Sequence, residues 1–199
     1  MEIQRTANAG VLLRLDGKSV LLDGVCGEVK PYLATPASLR QQLLTEQFDA
    51  VAFTHTHPDH YDSLFVSDYL QKTAGPILGP AEISGSIQGA VTLENVTILP
   101  VESRHVGKTD CKEHRSYIIQ GSRCVWFMGD ASALHWQRYE RLPHPDILIA
   151  PYGFLLGRGW DYCKQLSPGM IVLLHLPERE NDPYGLWDAV EQTLNGCTE

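Results

Sequence analysis

Short apolar runs separated by polar, turn-forming segments dominate the chain. Five of these runs are too short for a free-standing helix and too continuous for a strand with one solvent face, so each predicts a strand covered on both faces. The five runs are DAVAFT (49–54), VTILPV (96–101), CVWFMG (124–129), DILIAP (146–151) and GMIVLL (169–174). Near the N-terminus, two further β-rich runs flank Asp16 and Gly17, a pair that favours a tight hairpin turn between two antiparallel strands.

Three other segments have apolar residues at helical spacing and therefore predict helices. The first has Thr35 as a candidate N-cap and Pro36 at its first helical position. The second begins after Asp62, and the last runs from about Asp182 to Asn195. Together, the strands and helices predict an α/β fold or a layered α-β-β-α arrangement.

Composition and charge narrow the class of protein. A hydrophobic content of 43% and a charged content of 20% are typical of a soluble globular chain, and no linker or low-complexity tract divides residues 1–199, so one domain is expected. The formal charge of −8 disfavours nucleic acid and anionic membranes as partners and favours a small-molecule substrate. The oligomeric state is left open.

Targeting and cysteine patterns favour a cytoplasmic location. The N-terminal residues lack the pattern of a signal peptide, and no apolar stretch approaches the roughly 20 residues that span a bilayer. The five cysteines include no CxxC pair, which argues against a disulfide framework or a thiolate zinc site.

Candidate metal ligands follow four of the five apolar runs. The first run leads into the segment THTHPDH (54–60), and three later runs lead to His105, Asp130 and His175. If these strands lie side by side and point the same way, their C-terminal ends bring the polar groups to one edge of the sheet, where open sheets usually hold their sites.

The spacing inside the first segment suits two metal ions. His55 and His57, two residues apart in an extended segment, are expected to point to the same side, and Asp59 and His60 follow in a turn that can fold back over a second ion. Three imidazoles suit Zn²⁺, whereas two imidazoles with carboxylates suit zinc, manganese or iron.

This ligand set resembles that of the metallo-β-lactamase superfamily, in which an HxHxDH loop is followed by a single His, a bridging Asp and a final His. The resemblance runs from the N-terminal hairpin to the strand before the last helix, and it implies a four-layer α-β-β-α sandwich. The implied metal ligands are His55, His57 and His105 for the first ion, Asp59, His60 and His175 for the second, and Asp130 between the two.

The chain is most similar to the compact, lactonase-like hydrolases of this superfamily. The resemblance implies a binuclear metal-dependent hydrolase in which a hydroxide bridging two divalent ions, zinc or alternatively manganese or iron, cleaves a small ester, lactone, thioester or phosphodiester. Asp59 would be the catalytic residue that orients the hydroxide and shuttles its proton. Two alternatives are a phosphodiesterase or nuclease of the same fold, which the net charge opposes, and a non-catalytic metal-binding sensor or scaffold.

Several residues near the ligands are candidates for substrate contacts. Tyr61 follows the segment 54–60, which is called the metal loop below, and Tyr152 follows a predicted strand. Both are therefore candidate pocket residues, with packing as an equal alternative. Lys108, Arg104 and Arg115 flank the third ligand segment and are candidate contacts for an anionic substrate, with solvated surface charge as the alternative.

One aspartate, three histidines and one cysteine near these segments are predicted to have structural roles. Asp23 is similar to an aspartate that lies behind the ligands in the superfamily, with ordinary turn formation as the alternative. His114, His135 and His144 lie in polar segments and are predicted to have surface or capping roles, although His114 is the main rival for the third histidine ligand. Cys26 is predicted to be a buried structural thiol.

Overall fold

A computed structural model of the protein describes residues 1–72, 75–107, 111–134, 139–156 and 158–195. Two β-sheets pack face to face between layers of helices, which confirms the predicted four-layer α-β-β-α sandwich. The first sheet has five strands in chain order: β1 (Glu2–Arg5), β2 (Val11–Leu15), β3 (Lys18–Leu22), β4 (Ala50–Ala52) and β5 (Ile77–Leu78).

The second sheet has the order β11-β10-β9-β8-β7-β6. Its strands are β6 (Val91–Leu93), β7 (Val96–Ser103), β8 (His114–Gln120), β9 (Cys124–Phe127), β10 (Ile147–Pro151) and β11 (Met170–Leu174). Strands β9, β10 and β11 are parallel, and β7 points the same way because both β7 and β9 pair antiparallel with β8. The C-terminal ends of β7, β9 and β11 therefore lie at the same edge of the second sheet.

All five apolar runs form strands, but the expectation that they share one sheet is wrong. The run 49–54 forms β4 of the first sheet, whereas the other four runs belong to the second. A run that is buried on both faces carries no signal of which sheet it joins, because either sheet of the sandwich gives it the same surroundings. Strands β1, β5, β6 and β8 were not among the predicted runs.

The helices are α1 (Ala37–Thr45), α2 (Ser63–Lys72), α3 (Tyr152–Leu155), α4 (Arg158–Leu166) and α5 (Leu186–Asn195), with a 3₁₀ helix at Arg179–Asn181. The predicted N-cap role of Thr35 is wrong, because its Oγ1 accepts a hydrogen bond from the Cys26 backbone N–H at 3.0 Å and α1 has no side-chain cap. Helices α3 and α4 were not predicted. None of the described helices has the length and apolarity needed to cross a bilayer.

Alternation along the strands builds three apolar layers. Val11 and Leu13 of β2 face the core between the sheets, and Leu12 faces the layer that holds α1 and α2. In β9, Phe127 faces the core between the sheets and Trp126 faces the layer that holds α3 and α4. Two-residue periodicity thus lets each central strand bury both of its faces.

The predicted hairpin between β2 and β3 is confirmed. Asp16 and Gly17 have φ angles of 52° and 81°, as a two-residue turn with positive φ at both central positions requires.

Asp62, which follows the metal loop, caps α2 as predicted. Its Oδ1 accepts hydrogen bonds from the backbone N–H groups of Leu64 and Phe65, each at 2.9 Å. We expect Asp62→Ala to lower the free energy of unfolding by about 1 kcal/mol, measured by urea denaturation. Asp62→Asn is the matched variant, since it keeps a capping acceptor while removing the ion pair with Arg40 at 3.3 Å. Equal losses in both variants would attribute the effect to the ion pair instead.

Candidate metal centre

The seven predicted ligands meet where strand ends of both sheets come together. The metal loop follows β4 of the first sheet, whereas the other three ligands follow β7, β9 and β11 of the second. Three groups have ligand atoms within 4.8 Å of one another: His55, His57 and His105; His55, His60 and Asp130; Asp59, His60 and His175. These His and Asp clusters can hold metal, and the assignment of individual ligands stays a prediction.

The metal loop places its histidines as the two-residue spacing predicts. Nε2 of His55 lies 3.0 Å from Nδ1 of His57, so the two rings present nitrogen atoms to a common point. The chain then turns, because the backbone N–H groups of His60 and Tyr61 both donate to the His57 carbonyl oxygen at 2.9 Å. This turn brings the end of the loop back beside its beginning.

Backbone pairing holds the third histidine and the central aspartate together. His105 and Ala131 form an isolated antiparallel bridge. Within it, the Val106 N–H donates to the Asp130 carbonyl oxygen at 2.8 Å, and the Ser132 N–H donates to the Arg104 carbonyl oxygen at 2.7 Å. The loops that follow β7 and β9 therefore form one unit.

The Asp130 carboxylate lies between the two groups of ligands. Its Oδ2 is 3.5 Å from Nε2 of His60 and 3.5 Å from Nε2 of His105, and its Oδ1 is 3.2 Å from Nε2 of His175. On the far side, Oδ2 of Asp59 is 3.6 Å from the same His175 nitrogen. This placement fits the bridging position that the sequence predicts for Asp130.

Asp23 organises the metal loop from behind. Its side chain is fully buried, and it accepts hydrogen bonds from the Thr54 N–H at 2.7 Å, the Thr54 hydroxyl at 2.6 Å and Nδ1 of His60 at 2.8 Å. Because the Thr54 hydroxyl donates to Asp23, its oxygen accepts from Nδ1 of His55 at 3.0 Å. Both histidines then carry their proton on Nδ1 and present the lone pair of Nε2 to the cluster.

The charges around the cluster favour a cation. Burial raises the pKa of Asp23, although the bonds from His60 and Thr54 oppose the shift. Burial would lower the pKa of His60, but the carboxylates of Asp130 and Asp23 raise it well above its ordinary value. These carboxylates therefore stabilise positive charge at Nε2 of His60, whether a proton or a metal ion supplies it.

His105 gives a direct test of whether a metal fits. Its Nδ1 donates to the Val106 carbonyl oxygen at 2.6 Å, which leaves the lone pair on Nε2. That Nε2 atom is buried and has no hydrogen-bond partner within the described residues. A buried nitrogen without a partner is unfavourable unless something binds it, and a metal ion shared with His55 and His57 satisfies it.

His175 is supported by Asn8 from the loop between β1 and β2. Nδ1 of His175 lies 3.1 Å from the Asn8 amide, and Oδ1 of Asn8 is buried without a partner among the described residues. Rotating the Asn8 amide by half a turn places its Oδ1 next to the His175 ring. Oδ1 then accepts a hydrogen bond from the Nδ1–H group, and the lone pair of Nε2 is left for a metal ion.

His114 lies next to the candidate centre, in a buried position that the sequence reasoning missed. It is 3% exposed, so the predicted surface role is wrong. It lies opposite Ser103 in the ladder between β7 and β8, with Nδ1 2.7 Å from the Ser103 hydroxyl oxygen. Its Nε2 accepts a hydrogen bond from the Asp130 backbone N–H at 3.0 Å. Burial lowers the pKa of His114 to about 3, which keeps the ring neutral and able to accept.

The same contacts favour His105 over its rival His114 as the third histidine ligand. Both ring nitrogens of His114 are hydrogen bonded to protein groups, whereas Nε2 of His105 has no hydrogen-bond partner among the described residues. The signal that was available is the alternation of β8, which puts His114 on the same face as buried Ser116 and Ile118.

Glycine is required immediately before Asp130. Gly129 has a positive φ of 54°, and a Cβ atom there would lie 2.5 Å from Cγ2 of Thr54. The absence of a side chain lets the loop after β9 approach the Thr54 hydroxyl, which orients His55.

The predicted substrate contacts have different surroundings. Tyr152 lines a cleft beside Asp59, Asp130 and His175, as does Tyr32, which was not predicted. The Tyr61 ring instead packs edge-on against Phe53, with ring centroids 5.1 Å apart, so its contact supports the packing alternative.

The remaining candidates lie apart from that cleft or outside the description. Lys108 and His135 fall outside the described residues, and His144 is exposed. Arg115 bonds to Glu113 and Gln88. Cys26 is buried, and its sulfur accepts from the Thr35 hydroxyl at 3.7 Å, a structural contact.

Comparisons with known proteins agree with this geometry. The sequence model described as "Beta-lactamase superfamily domain" matches residues 2–175. No curated protein matches the chain significantly. A solved structure from Veillonella parvula DSM 2008, described as a possible metal-dependent hydrolase, is 17% identical, with a TM-score of 0.76 over 98% of this chain and 92% of that one.

Two further solved structures share the fold at similar identity. The isothiocyanate hydrolase from Delia radicum gut bacteria is 18% identical, with a TM-score of 0.64 over 97% of this chain and 94% of that one. Igni18, a metallo hydrolase from Ignicoccus hospitalis KIN4/I, is 19% identical, with a TM-score of 0.67 over 96% and 90%.

We expect His114→Ala to weaken metal binding by about tenfold or more, because the Asp130 N–H loses its acceptor and the carboxylate is less firmly placed. Competition with a metal-chelating dye measures the affinity. His114→Gln retains a side-chain oxygen that can accept the same N–H, so part of the affinity should return. His144→Ala, at an exposed histidine, is the control. Unchanged affinity in His114→Ala would contradict the assigned role.

Proposed function

The chain belongs to the beta-lactamase superfamily, whose domain matches residues 2–175, and from that premise we propose that it is a hydrolase dependent on two divalent metal ions. Its substrate is a small ester, lactone, thioester or phosphodiester. The single observation that carries the proposal is the convergence of His and Asp ligand atoms within 4.8 Å, in three overlapping groups. The buried Nε2 of His105, which has no hydrogen-bond partner in the part of the chain that the structure describes, supports it further.

Each side chain has a defined task in this proposal. Two groups hold the ions: His55, His57 and His105 for the first, and Asp59, His60 and His175 for the second, with Asp130 shared. When bound, the ions lower the pKa of water and polarise the bond that is attacked. The chain itself orients the imidazoles through Asp23, Thr54 and Asn8.

Asp59 is the proposed proton acceptor. Its carboxylate is mostly buried and lines the same cleft as Tyr152, with Oδ2 3.6 Å from Nε2 of His175. An oxygen in this position accepts a proton from the attacking water and returns it to the leaving group.

One observation favours a phosphodiester over an ester. Arg104 and Lys112 line a separate cleft of about 270 Å³ beside His105 and His114. Cations there would favour an anionic substrate, although the net charge of −8 opposes binding of long polyanions. Cyclic nucleotides, short RNA and bis(4-nitrophenyl) phosphate at low salt test this candidate.

We expect elemental analysis of gently purified protein to find two metal ions per chain and chelation to stop hydrolysis. The test panel contains aryl esters, lactones, thioesters and phosphodiesters, and benzyl isothiocyanate is added because one structural neighbour is an isothiocyanate hydrolase. His57→Ala should lose metal and activity, and His144→Ala should keep both. Protein that cannot bind metal would refute the proposal, and bound metal without any turnover would favour a sensor or scaffold.

Asp59→Asn separates proton transfer from metal binding. The amide retains a ligand oxygen but is a poor base, so kcat should fall by about 100-fold or more while KM changes little. The metal content of the same sample is measured alongside. Full metal content with unchanged kcat would show that Asp59 does not handle the proton.

A further inference from the structure

A cleft of about 290 Å³ opens beside one half of the candidate metal centre. Asp59, Asp130 and His175 form one wall, and Tyr32, Tyr152 and Val106 lie around them. The volume is close to the lower limit of ordinary ligand pockets. It holds about ten water-sized groups, so a substrate that enters it is small.

The rest of the cleft is uncharged. Phe154 is a buried apolar contributor, and Val106, at 44% exposure, brings an apolar side chain to the cleft. Among the described residues that line it, none is Lys or Arg. A carboxylate or phosphate on the substrate, away from the bond that is cleaved, would therefore lie in the part of the cleft around Val106 and Phe154, without a cationic side chain beside it among the described residues.

Two tyrosines supply the polar contacts that remain. Tyr32 and Tyr152 both line the cleft, and their side chains interact with each other. The Tyr32 ring stands edge-on to His175, with centroids 4.8 Å apart and an interplanar angle of 87°. A phenolic hydroxyl carries its proton at neutral pH, so the hydroxyl of Tyr32 can donate a hydrogen bond.

Among the described residues, two cationic side chains near the centre line the cleft on its other side. Arg104 and Lys112 line the cleft beyond His105, and Arg115 is already paired with Glu113. The two clefts thus differ in charge, and Asp59, the proposed proton acceptor, lines the one that has no Lys or Arg among its described residues.

We infer that the cleft of Tyr32 and Tyr152 binds the acyl part of an uncharged ester or lactone, with the tyrosine pair donating a hydrogen bond to a substrate oxygen. This inference rests on the proposed hydrolase function, which it narrows to neutral acyl compounds. Hydrolysis then adds the elements of water across the acyl carbon to oxygen bond, which releases a carboxylate, an alcohol and one proton.

A matched pair of esters tests the charge preference. 4-Nitrophenyl butyrate and 4-nitrophenyl hemisuccinate share a leaving group and a four-carbon acyl chain, and they differ by one carboxylate. After correction for their reactivity with hydroxide, kcat/KM should be at least about tenfold higher for the butyrate, because the extra carboxylate has no cationic partner in the cleft.

A binding measurement gives a readout that does not require turnover. Calorimetry with the metal-loaded protein compares two unreactive amides, N-phenylbutanamide and N-phenylsuccinamic acid, and the neutral amide should bind more tightly. Tyr32→Phe and Tyr152→Phe should each weaken its binding by about fivefold with unchanged metal content. Tyr184→Phe, at a tyrosine that is 70% exposed, is the control and should bind normally.

The outcomes separate the two claims. Equal or better use of the anionic ester, or equal or tighter binding of the anionic amide, would overturn the inference, while any metal-dependent ester cleavage would still support the hydrolase. Selective binding of the neutral amide that the tyrosine variants weaken, without turnover of any ester, lactone, thioester or phosphodiester in the panel, would support the cleft assignment and contradict the hydrolase. Failure of both amides to bind would overturn the inference.

Discussion

A carboxylate that is completely removed from water must be hydrogen bonded by its surroundings, and at Asp23 this requirement sets the arrangement of the metal loop. Parallel pairing of β3 with β4 places Asp23 beside Thr54, and the Asp23 N–H donates to the Ala52 carbonyl oxygen at 2.9 Å. The carboxylate then takes its bonds from Thr54 and His60. Through Thr54 it also sets the tautomer of His55, so one buried group orients imidazoles from both halves of the centre.

The centre exists only while the two sheets keep their relative position. The first sheet supplies the metal loop and Asp23, and the second supplies His105, Asp130 and His175. Side chains such as Val11 and Phe127 fill the space between the sheets, and a close-packed interior of this kind shifts little. Stability of the core and geometry of the centre are therefore linked, even though no core residue is a ligand.

Much of the fold and most of the centre were predictable because buried strands leave a clear pattern in the sequence. An apolar run followed by His or Asp indicates both the strand and the position of a candidate ligand, as at His105 and His175. Sheet membership, the burial of His114 and the place of Tyr32 beside His175 were not predictable, since each depends on contacts between distant segments. The hydrophobic pattern within a segment does not specify which distant segment it packs against, so these features could be seen only in the structure.

The crowding of polar groups at the strand ends has a consequence for stability. Nε2 of His60 and Nε2 of His175 lie 2.7 Å apart, and both face the Asp130 carboxylate. Lone pairs brought this close repel one another unless a proton or a metal ion lies between them, so the fold holds its candidate ligands in an arrangement that bound positive charge stabilises. An ion that binds the folded chain and not the unfolded one adds its binding free energy to the free energy of unfolding. The hydrogen bonds that Asp23 and His114 accept act in the same direction, because they restrict the imidazole and carboxylate groups before any ion arrives. The same contacts therefore stabilise the fold at this centre and position the groups that would bind metal.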